Sequence, residues 1–64
     1  MESFKAGDTV RVRNEIFTSY GCKGTVVDTN GDFIVVRMKR LFKKLDESEF
    51  VNRQYYPSDL KRAS

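Results

Sequence analysis

Apolar positions in this chain alternate more often than they recur at helical spacing. In Asp8 to Arg13, DTVRVR, Val10 and Val12 fall on one side while Thr9, Arg11 and Arg13 fall on the other, the two-residue period of a half-buried strand. Gly7-Asp8 just before it is a turn signal. The next stretch, RNEIFTSYG, keeps neither period and reads as a loop carrying Phe17 and Tyr20. GTVVDT at 24–29 and DFIVVRM at 32–38 read as two further strands, the second rich in β-branched and aromatic residues. Asn30-Gly31 between them supplies the positive φ angles of a two-residue type I′ turn, so the pair is predicted to be a hairpin.

Residues 39–54, KRLFKKLDESEFVNRQ, admit two readings. Leu41, Phe42 and Leu45 mark one face of a short helix. Alternatively, the third strand runs on to about Lys44, turns at LDES and returns through EFVNRQYY. The extended hairpin is favoured; Lys43 and Lys44 would then meet Asp46, Glu47 and Glu49 near its tip in pairs of opposite charge. Pro57 has a fixed φ and no N–H, so the chain bends there before a short last strand from about Leu60 to Ala63.

Five short strands in 64 residues predict one all-β domain over 1–64. The expected form is a small five-stranded barrel with an extended hairpin or a short helical insertion at about 39–52. Closing the sheet removes exposed edges and lets one face of every strand share a core. That core is expected to hold Phe4, Val10, Val12, Val26, Ile34, Val36, one of Tyr55 and Tyr56, and Leu60.

Composition removes several chemistries. Cys22 is the only cysteine and there is no histidine, so no internal disulfide forms and no metal-ligand set stands out. Acid–base catalysis would fall to carboxylates, lysines or tyrosines, in a core with little room for a pocket. No enzyme, cofactor, metal or small-molecule substrate is expected. The start, MESFKAGD, has no apolar h-region, and no apolar run nears the ~18 residues of a membrane span. With a lone thiol suited to a reducing compartment, the expectation is a cytoplasmic protein with no membrane partner.

Charge adds a candidate surface. The net charge is only +3, yet RMKRLFKK at 37–44 holds five cations in eight positions. Arg37, Lys39, Arg40, Lys43 and Lys44, interleaved with Phe42, suit a nucleic acid: cations neutralise phosphates and rings stack on bases. Arg11, Arg13 and Arg53 are expected on nearby strands, and Tyr55 close by. The DESE that follows also permits a solvated, self-neutralised arm. Phe17, Tyr20, Phe42, Phe50, Tyr55 and Tyr56 are too many rings for so small a core. Exposed rings beside arginines equally suit a protein partner.

Residues 7–12, GDTVRV, and 21–27, GCKGTVV, resemble the KOW pattern of SH3-like barrels, which occurs in ribosomal proteins and in NusG-like transcription elongation factors. YYPSDL at 55–60 is similar to the penultimate strand, helical turn and closing strand of that barrel. Uncharacterised small bacterial and phage SH3-like proteins look similar too. The resemblance implies an SH3-like barrel over about 4–62 acting as a binding module, with RNA or a ribonucleoprotein as favoured partner. A protein-docking module or accessory subunit is the alternative, since the fold serves both jobs. Physically, Gly24 is expected where the second strand coils tightly across the first, and Gly31 in the hairpin turn.

Overall fold

The computed structural model describes residues 3–63. Five strands form one antiparallel sheet: β1 (Thr9–Val12), β2 (Lys23–Asn30), β3 (Phe33–Lys39), β4 (Phe50–Tyr55) and β5 (Leu60–Arg62). Their order is β4-β3-β2-β1-β5, and a 3-10 turn at Pro57–Asp59 carries the chain from one edge strand to the other. The fold is all-β.

Alternation decides what is buried. Val10 and Val12 of β1, Val26 of β2, and Ile34, Val36 and Met38 of β3 point to one face, where Phe4, Tyr55 and Leu60 join them. Removing each such side chain from water stabilises the fold by about 1.5–3 kcal/mol. Every residue expected in the core is there, with Tyr55 rather than Tyr56. Met38 is the addition, because β3 keeps its period two residues past Val36.

The hairpin turn differs from the expected one. Asn30 pairs with Phe33, so the two loop residues are Gly31 and Asp32 rather than Asn30 and Gly31. Among the described residues only glycines have positive φ, and Gly31 at +61° opens the loop, the requirement of a type II′ turn. The cause lies further back. Val26 pairs with Val36 but Asp28 with Val35, leaving Val27 as an extra residue in β2. Without this bulge the Val26–Val36 register would leave the three residues 30–32 in the loop; with it the loop is the two residues Gly31 and Asp32.

Gly24 serves a close approach, but to β3 rather than to the first strand. A Cβ there would sit 2.5 Å from the Val36 Cγ1 and 2.9 Å from the Arg37 carbonyl oxygen. Only a bare Cα lets β2 and β3 pack at that point.

Residues 39–52 are neither a helix nor a long hairpin arm. β3 stops at Lys39, β4 starts at Phe50, and 40–49 form a loop. One further backbone bond, Arg40 N–H to the Glu49 oxygen (2.8 Å), closes its base. The predicted pairing of Lys43 and Lys44 with the acidic run is replaced by Lys39 with Glu49 (3.2 Å) and Arg40 with Glu47 (3.0 Å). Those two cations sit at the loop's base, within reach of the returning chain, whereas the lysines lie beyond the last ladder pair.

Candidate nucleic-acid interface

Strand register, rather than closeness in sequence, assembles the basic residues. Arg11 of β1 is flanked along its strand by the buried Val10 and Val12, so its side chain projects outward. Directly across the ladder it meets Lys23 of β2 on one side and Lys61 of β5 on the other. Paired residues share a face, so three exposed cations stand in one row. Among the described residues none of the three forms an ion pair; Arg11 Nη1 donates to the Gly21 carbonyl at 2.9 Å. Like charges directly opposite are destabilising, by about 0.2–1 kcal/mol per pair.

The row continues across the sheet. The Gly24–Met38 pair makes Lys23 and Lys39 the next residues of β2 and β3, and Lys39 pairs with Phe50 of β4. Thr9, Thr25, Arg37 and Asn52 form the neighbouring row on the same face. The Arg37 guanidinium lies 4.7 Å from the centre of the exposed Phe50 ring. A cation held over a ring in this way is oriented without being neutralised. Glu49 offsets Lys39 at the edge of the surface.

Asp8 does not dilute the row, because its charge is spent elsewhere. Its Oδ2 accepts the Lys5 amide and the Arg62 Nη1, each at 3.0 Å. The Lys5 N–H first, and then the Arg62 guanidinium, hold the Asp8 carboxyl below the usual carboxylate range.

The other residues expected in the site divide three ways. Phe42 is 90% exposed, and Lys43 and Lys44 are exposed beside it on the 40–49 loop. Arg40 is held at the loop's base, with Nε donating to the Ser48 oxygen (2.9 Å) besides its bond to Glu47. Arg13 and Arg53 lie away from the row. Arg13 Nε donates to the Ser58 oxygen at 2.7 Å and its backbone N–H to the Asp59 oxygen at 2.8 Å, which ties the β1–β2 loop to the 3-10 turn. Arg53 pairs with the buried Val36, so it belongs to the opposite face, where it is exposed.

Tyr55 is a correction. It is 3% exposed and cannot meet a partner from the core. Its hydroxyl shares a hydrogen bond with Ser19 Oγ (2.7 Å) and reaches the Met38 sulfur at 3.5 Å, while its ring meets Phe17 edge-on at 5.1 Å. Sequence reasoning missed Lys23 and Lys61 and named Phe50 only among the surplus rings, since the place of all three in the rows depends on register.

A second feature is a groove of about 630 Å³ bounded by the β2–β3 turn, the Phe4 segment and the 3-10 turn. Phe4, Ile34, Pro57 and Leu60 give it an apolar lining, and the exposed Tyr56 stacks on Phe33 at 4.7 Å beside it. Among the described residues, no three potential ligands from Cys, Asp and Glu gather as a metal site. No helix among them is long and apolar enough to cross a membrane. Compared with known protein families, curated proteins and solved structures, the chain matches none.

Proposed function

We propose that this protein is a non-catalytic nucleic-acid-binding module whose outer sheet face holds phosphates, with RNA or a ribonucleoprotein as partner. The row Lys61–Arg11–Lys23 carries the reading. Three cations in register, with no carboxylate paired to them among the described residues, lower the fold's stability and gain it back only against an anion. Arg37 over Phe50 and the nearby Lys39 extend the same surface. The resemblance to SH3-like KOW barrels belongs to this reading. Supporting it are the strand order and the 3-10 turn at the position expected from YYPSDL. A cytoplasmic location is supported by the single free thiol, Cys22.

The test is fluorescence anisotropy with a labelled RNA oligonucleotide. If the row neutralises three phosphates of a single strand, affinity falls roughly 20-fold between ~50 and ~200 mM salt. Replacing Arg11, Lys23 and Lys61 together by Gln abolishes binding. No retention on heparin and no RNA binding at low salt would overturn the reading.

The groove favours a second reading, docking of an apolar protein segment, because Tyr56 stands exposed beside it. Affinity purification with and without nuclease separates the two. A partner that persists after nuclease and is lost with Tyr56→Ala points to docking.

A further inference from the structure

The loop at 40–49 departs from what an unstructured connection would be. Its base is closed by the Arg40 N–H on the Glu49 oxygen, and the Arg40 guanidinium bonds both Glu47 and the Ser48 oxygen. Its tip is turned by the Glu47 N–H on the Lys44 oxygen (3.1 Å) and by Glu47 Oε1 accepting the Lys44 N–H (3.2 Å). Ser48 Oγ donates to the Phe50 oxygen at 2.8 Å, joining the loop to β4. Every one of these bonds is local to the loop. Together they consume both of its inner charges and leave the Phe42 ring in solvent, next to two lysines without ion pairs among the described residues.

A ring presented on a pinned loop, followed in the chain by Lys43 and Lys44 and then by Asp46, Glu47 and Glu49, has a flat face exposed to solvent. Within a duplex the base faces are already stacked, so only an unpaired base can lie on such a ring. The charge left over nearby fits the same ligand: Lys43 and Lys44 on the loop, while Glu47 and Glu49 are engaged by Arg40 and Lys39, and Lys23 of β2 lies across the ladder from the end of β3. Phe50 is already covered on one side by Arg37, which makes Phe42 the open platform.

We infer that the 40–49 loop makes the protein selective for single-stranded nucleic acid, with an unpaired base stacked on Phe42 while its backbone runs over the basic sheet face. This inference rests on the nucleic-acid reading above, and the experiment separates their failures. Binding of the full chain to a labelled single-stranded RNA is compared with binding to a blunt duplex of the same sequence at ~50 mM salt. The single strand binds more tightly. Phe42→Ala weakens single-strand binding about 5- to 150-fold, the range of one base–aromatic stack, and leaves duplex binding and the melting temperature unchanged. Phe42→Trp retains the preference, whereas Phe42→Leu, apolar but without a flat face, loses it. Leu45→Ala has no effect.

Equal affinity for both nucleic acids, or single-strand binding indifferent to Phe42→Ala but abolished by the Arg11, Lys23 and Lys61 substitutions, overturns the inference and leaves the sheet-face reading standing. Equal losses in Phe42→Leu and Leu45→Ala with Phe42→Trp also weakened mean a general apolar contact and overturn it too. Co-sedimentation with phosphatidylserine vesicles that Phe42→Ala and Leu45→Ala remove, without RNA binding, assigns the tip to a lipid surface and overturns both.

Discussion

Two loops of ten residues, 13–22 and 40–49, each join neighbouring antiparallel strands, and each carries aromatic and aliphatic side chains. They use them in opposite ways. The first is tied to the rest of the fold: Arg13 to the 3-10 turn, Asn14 Nδ2 to the buried Asp59 (2.8 Å), Phe17 against Tyr55, and Ser19 to the Tyr55 hydroxyl. Among the described residues the second bonds only within itself and its strand ends, and its Phe42 faces solvent. The difference traces to a few residues. Loop 13–22 has short polar side chains, Asn14 and Ser19, that reach buried acceptors and hydroxyls. In loop 40–49 the long polar side chains find each other. One loop therefore closes the core and the other presents a surface.

Substitutions should sort along this line, the largest effect first. Tyr55→Ala removes a ring that both the core and loop 13–22 depend on, at a cost of about 3–5 kcal/mol. In a domain that small, whose whole stability is about 3–5 kcal/mol, this unfolds the protein in a urea titration. Phe42→Ala, which removes a ring of similar size from loop 40–49, stays within about 0.5 kcal/mol of wild type. Equal losses would erase the contrast. Next comes Asn14→Ala, which strips a donor from the buried Asp59 carboxylate and costs about 1–3 kcal/mol by thermal melting. Its counterpart, Arg40→Ala at the base of loop 40–49, breaks a surface ion pair and costs no more than about 1 kcal/mol.

A smaller effect has the opposite sign. Lys23→Thr or Lys61→Thr relieves a like-charge contact with Arg11, so each raises stability by about 0.2–1 kcal/mol while weakening nucleic-acid binding and lowering its salt slope by about one phosphate. Stability and binding moving in opposite directions is the mark of a surface kept for a partner.

The smallest expected effect is on pH. Since folding lowers the Asp8 pKa below 3.8, its contribution is fully present above that value and is lost as pH falls through the lower, folded one. Asp8→Asn removes that acid-side decline, seen in denaturation curves below about pH 4.

The core was legible because a period of two, once read from Val10 and Val12 or from Ile34 and Val36, names every inward side chain in its strand. Met38, absent from the expected core, lies inside by the same parity from Val36. What pattern cannot supply is how one strand slides against the next. The bulge at Val27 leaves no mark in composition, yet it sets the hairpin register and moves the turn to Gly31-Asp32. The basic row is hidden for the same reason. Lys23, Arg11 and Lys61 come from three separate stretches, and only the ladders bring them side by side. The run at 37–44 looked like one basic arm; in the fold Met38 is buried, Arg40 is paired, and only Arg37, Lys39 and the loop tip remain on the surface.

An amide-shift map by NMR, recorded as single-stranded RNA is titrated into the labelled protein at low salt, puts the sheet face and its neighbouring loop to trial in one experiment. Shifts concentrated at Arg11, Lys23, Arg37, Lys39, Phe42 and Lys61, with loop 13–20 and the groove at Tyr56–Ser58 silent, are the expected result. Shifts gathered at the groove, or none at saturating RNA, would contradict it.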